Sequence, residues 1–154
     1  MNEESTPMNR WEKKMMSVWS PVKLQIHSVA DGEKVNQQVV GEALRKGNAL
    51  YIRYVEEEQL PGSEPIRNTV KITDNSVKLI RHGGVESEQT FEQGKRLPGF
   101  YRSPFSSFAL STDTKELSLS LSNLSGKISF SYDLYVFEEQ SGQLSISIEI
   151  QEDQ

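Results

Sequence analysis

The 154 residues contain no cysteine, so disulfides, thiolate zinc sites and thiol nucleophiles are excluded. Histidine is nearly absent too. His27 shares a strand face with Lys23 and Gln25, and His82 falls at a turn; two isolated imidazoles cannot supply the three or four converging ligands a zinc site needs. The acidic run Glu56-Glu57-Glu58 alternates faces, so it does not converge on a cation as a calcium loop does. Positive charge is not in excess: 17 basic against 22 acidic residues leave a net charge of -5, which argues against a phosphate-backbone partner. The one basic cluster with an aromatic, Lys95, Arg96, Tyr101 and Arg102, reads as ordinary loop charge. No G-x-x-x-x-G-K-[ST] or G-x-G-x-x-G stretch is present. No apolar run approaches the ~18 residues that would span a bilayer, and MNEESTPMNRWEKKMM (1–16) lacks the basic-then-apolar layout of a signal peptide. The expectation is a soluble, cytoplasmic chain with no cofactor, no nucleic-acid partner and no membrane partner.

What the chain does have is alternation. Residues 116–137, ELSLSLSNLSGKISFSYDLYVF, place an apolar residue at every second position and mostly serine between. Successive strand side chains point to opposite faces, so Leu117, Leu119 and Leu121 share one face and Ser118, Ser120 and Ser122 the other. The same period runs through 22–30, 36–46, 49–58, 66–73, 76–82, 85–92, 106–112, 127–137 and 143–150. Asp31-Gly32, Lys46-Gly47-Asn48, Asp74-Asn75, Gly83-Gly84, Ser125-Gly126 and Ser141-Gly142 supply turn chemistry between segments. GKRLPGFYRSPF (94–105), with two prolines and two glycines, is expected to interrupt or bend a strand.

The fold predicted is all-β: an antiparallel, closed up-and-down barrel of about eight to ten strands spanning 21–154. Residues 1–20 form a separate extension, partly helical or disordered. Trp11, Met15 and Trp19 there recur at helical spacing, as a packed cap or a docking segment.

LYIRYVEE (50–57), IRHGG (80–84), Phe91 with Gly94, Tyr101 and GKISFSYDLYV (126–136) resemble the YwiB-type family of Gram-positive bacteria in order and spacing. The resemblance covers Pro21 to Ile150. It implies a calycin-like (lipocalin-like) β-barrel and, since that family has no known function, no activity. The family pattern implies glycine where this chain has Ser106, and the lipocalin Gly-x-Trp signature is reduced to the Trp of Ser17-Val18-Trp19.

Applied to polar positions, the period-two rule puts several groups inside. Arg81 shares parity with Val77 and Leu79, and Glu56 and Tyr54 with Leu50 and Ile52. Tyr132 lies between Phe130 and Leu134, and Asn68 between Ile66 and Val70. A buried charge needs a partner. Either Arg81 pairs with Glu56 near one barrel end, tied to a Tyr hydroxyl, or Arg81 and a Tyr hold the carboxylate of a small apolar or amphipathic ligand, or Arg81 reaches water at the strand end. Arg81, Tyr132, Tyr54, Glu56 and Asn68 are the candidate ligand-binding residues. No catalytic residue is assigned, because no nucleophile–base pair can be assembled. The alternative function is a structural or protein-interaction module with a side-chain-filled barrel. The protein partner is unassigned, and any strand left at an edge could pair between subunits.

Overall fold

A computed structural model describes residues 18–56 and 62–153; the segment 1–17, on which most of the predicted helical extension falls, lies outside them. Among the described residues ten strands follow one another: β1 (Ser20–Ala30), β2 (Glu33–Lys46), β3 (Ala49–Val55), β4 (Arg67–Ile72), β5 (Val77–His82), β6 (Glu86–Phe91), β7 (Arg96–Arg102), β8 (Ser107–Ser122), β9 (Ser125–Val136) and β10 (Glu139–Glu152). Each pairs antiparallel with its sequence neighbours, and β1 pairs with β10 from Val22↔Glu152 to Ala30↔Leu144, closing the barrel. A sheet with one apolar face removes that face from water, and loses its edges, by closing on itself.

The inward face forms the core. Val22, Leu24, Leu50, Ile52, Val70, Ile72, Val77, Phe91 and Ile128 are essentially sealed from solvent. Barrel diameter grows with strand number, and large rings occupy the space that ten strands enclose. Phe91 lies 4.4 Å from Phe130 and 4.6 Å from Tyr132, centroid to centroid. The serines Ser118, Ser120 and Ser145 lie exposed on the outer face, and Ser147 is half-buried beside them.

Three local features differ from the sequence expectation. First, 94–105 is not a break. Its residues 96–102 form β7, paired with β8 along their whole length. The Thr114 N–H donates to the Lys95 carbonyl, so even-numbered residues of β7 turn their N–H groups away from β8. Pro98, which has none to give, therefore faces β6 beyond the last β6–β7 pair, Glu88↔Phe100. Second, 106–112 and 116–122 are one strand, β8. A bulge between Thr114 and Glu116 switches the inward parity from Leu110, Thr112 and Thr114 to Leu117, Leu119 and Leu121. Third, the β9–β10 turn is Phe137-Glu138, with φ of 53° and 66°, a two-residue turn of the type that normally uses Asn-Gly. Ser141-Gly142 instead falls inside β10 at a register shift. Ser106 sits in the β7–β8 turn, closed by the Ser103 N–H donating to its carbonyl at 2.7 Å; its φ is not positive, so serine serves where the family pattern implies glycine.

Candidate functional site

One end of the barrel carries a polar row built by register. Tyr54 lies opposite Asn68, Asn68 opposite Arg81, Arg81 opposite Ser87, Ser87 opposite Tyr101, and Tyr101 opposite Phe108. All share the parity of the core, so this half-ring is the last inward layer before the β3–β4, β5–β6 and β7–β8 connections. Glu56, just past β3, joins it because its N–H donates to the Ile66 carbonyl at 2.9 Å. That contact needs 63–66 to run tightly over the β5–β6 turn. Gly83 permits it: its φ is 124°, and a Cβ there would sit 1.9 Å from the Pro65 carbonyl oxygen.

At the centre of the row Arg81 Nε donates to Glu56 Oε2 at 2.8 Å and Nη2 to Oε1 at 3.1 Å. This is a two-pronged pair, which fixes geometry as well as charge. Asn68 Nδ2 donates to the same Oε2 at 2.9 Å. The two charged side chains keep 32% and 26% of their surface in water, which places the pair at the rim rather than in the dry interior. Burial, reinforced by the Glu56 carboxylate and opposed by Arg81, pushes the Tyr54 hydroxyl up to about 12, so it stays protonated through neutral pH. Tyr101 stacks on Phe108 at 5.1 Å, and Phe108 approaches Phe137 at 6.0 Å, extending the row to the exposed turn.

The structure brings Arg81, Glu56, Asn68 and Tyr54 together. It does not bring Tyr132 to them: Tyr132 pairs with Leu144 and Thr114, is 3% exposed, and packs on Phe91 in the core. Burial pushes its hydroxyl up to about 12 as well. Sequence reasoning missed Ser87, Tyr101 and Phe108. Ser87 shares inward parity with Phe91, a signal that was available; Tyr101 was hidden by reading 94–105 as irregular.

His27, on the outer face, hydrogen-bonds Asn36 through Nδ1; His82 is exposed. Among the described residues no three His, Asp or Glu side chains gather as metal ligands, and no helix is long and apolar enough to cross a membrane. Grooves of about 900 and 450 Å³ run along the outside of the barrel, past Lys23, Gln25, Lys127 and Glu149 in one and past His27, Ser129 and Ser147 in the other.

These features define a class: small closed antiparallel β-barrels with a polar, charge-compensated rim. Comparison with known proteins narrows it. Residues 21–148 match the family model described as Domain of unknown function (DUF1934), and the chain belongs to that family. It is 31% identical over 126 residues to the uncharacterized beta-barrel protein YwiB of Bacillus subtilis (strain 168), covering 79% of this chain and 86% of the relative. The crystal structure of ywiB protein from Bacillus subtilis superposes with a TM-score of 0.77 at 27% identity, over 88% of this chain and 94% of that one.

Proposed function

We propose that this protein is not an enzyme and does not carry a ligand in its barrel, but acts through its outer surface as a structural or protein-interaction module. One observation carries the reading: the guanidinium that could receive a ligand carboxylate already gives two donors to Glu56. A competing carboxylate would have to displace a two-pronged partner and break that pair. The filled core around Phe91, Phe130 and Tyr132 adds support. The lack of cysteine supports a cytoplasmic setting, and the net charge of -5 supports partners other than nucleic acid.

The test is a thermal-shift series with fatty acids and isoprenoid carboxylates of graded length. A ligand at 100 times its dissociation constant adds about 2.7 kcal/mol, which at this chain length raises Tm by about 5–10 °C. The expected result is no shift above 1 °C. A rise of 5 °C that disappears in Arg81→Met would overturn the proposal.

A further inference from the structure

β8 outruns its partner. Pairing with β7 covers Ser107–Asp113, whereas pairing with β9 continues to Ser122↔Ser125. Among the described residues, no strand pairs with Glu116–Ser122 on the side away from β9. The Leu117 N–H donates to Gln93 Oε1 at 3.1 Å, which shows that this N–H points to the outer edge. By the two-residue alternation, the N–H and C=O of Leu119 and Leu121 point there too.

β2 has a comparable overhang, since its pairing with β3 begins only at Glu42. That edge carries Glu33 and Lys34, and charges discourage edge-to-edge pairing. The β8 edge carries a charge only at its start, Glu116: from Leu117 to Gly126 the sequence is LSLSLSNLSG. An uncharged, alternating edge is the kind that recruits another strand.

The pattern is also its own complement. Turned antiparallel about Leu119, a second β8 places Leu119 opposite Leu119, Leu117 opposite Leu121, and Ser118 opposite Ser120. Leucine meets leucine on the inner face and serine meets serine on the outer, with no like charges opposed. This is the condition for an isologous two-fold interface. Because the edge-facing amides are those of 117, 119 and 121, the Leu119 pair exchanges both of its backbone hydrogen bonds across the axis.

We propose that the protein self-associates through β8, residues Glu116–Ser122 pairing antiparallel with the same residues of a second copy. This rests on the reading that the barrel acts through its surface. Seven-residue strands pair over about 24 Å, a small interface that belongs with weak, concentration-dependent complexes.

The experiment is sedimentation equilibrium of the full chain from 1 to 200 μM. The weight-average mass should climb from 17.5 kDa toward twice that value. Ser118→Lys/Ser120→Lys, both on the exposed outer face, opposes lysines across the seam and should hold the mass at the single-chain value with unchanged far-UV circular dichroism. Ser118→Lys/Ser120→Glu opposes Lys to Glu in this register and should restore the dimer. Leu119→Cys, the only cysteine in that variant, should form an intermolecular disulfide on mild oxidation, since paired antiparallel Cα atoms lie about 5.5 Å apart. A wild-type mass fixed at one chain at 200 μM overturns the proposal, and so does a dimer that survives the double-lysine variant. Either failure leaves the ligand-free barrel intact, whereas a ligand found in the barrel is read by a different experiment, the thermal-shift series, and leaves the measured mass unchanged.

Discussion

Remove the Arg81 guanidinium and the rim loses its charge balance. Arg81→Met keeps most of the aliphatic stem but strips both donors from Glu56. Fully exposed pairs are worth 0.2–1 kcal/mol, and breaking a fully buried one costs about 3–5 kcal/mol. With 32% and 26% of the two side chains in water, the pair lies between these limits, and the loss should be about 2 kcal/mol, or about 4–8 °C in Tm. Glu56→Gln removes the charge and retains an oxygen for Asn68. The informative quantity is the coupling from the full cycle of Arg81→Met, Glu56→Gln and the double variant, by urea unfolding. We expect a coupling of about 1–1.5 kcal/mol, because each single variant strands a half-buried partner that the double variant does not. It should persist in 0.5 M NaCl, where an exposed pair would be screened. A coupling below about 0.3 kcal/mol would refute the reasoning, since Arg81 would then hold Glu56 too loosely to be unavailable to a ligand.

Other outcomes follow from single features. Thr114 Oγ1 is buried without a hydrogen-bond partner, whereas Thr112 Oγ1 donates to the Thr90 carbonyl at 2.6 Å. Thr114→Val should therefore be neutral or stabilising by urea unfolding, and Thr112→Val should cost about 1–2 kcal/mol. Phe137→Asn/Glu138→Gly gives the β9–β10 turn residues suited to its positive φ values, and should raise stability by about 1 kcal/mol in the same assay. Tyr54 and Tyr132 are held protonated up to about 12 against 10 in the unfolded chain. Their contribution is complete below pH 10 and is lost as pH rises toward 12, because the unfolded state releases those protons first. Tyr132→Phe should make that alkaline loss shallower in urea titrations at pH 9–12.

How much of this was legible beforehand depends on what each residue had to signal. Period-two alternation exposed the barrel, its closure and the inward parity of Arg81, Glu56, Asn68 and Tyr54, because parity within a strand is a local property. Tyr132 shares that parity, yet it sits in the core rather than at the rim. Height along the barrel is set by register between strands, which no single strand encodes. β7 was hidden because Pro98 faces the one stretch where no ladder bond is required of it. The continuity of β8 was hidden because the extra residue at its bulge resets the alternation, so one strand reads as two. The Phe137-Glu138 turn was hidden because neither residue carries a turn preference, and the structure holds both at positive φ. Gly83 was visible as a turn glycine, but its close approach to Pro65 is tertiary.

The central claim is that ten strands enclose a space filled by the protein's own side chains. Native mass spectrometry of the chain purified from its own host tests it most directly. The account predicts species at whole multiples of the bare chain mass and nothing added. A stoichiometric small molecule that survives purification and departs only on unfolding would contradict it.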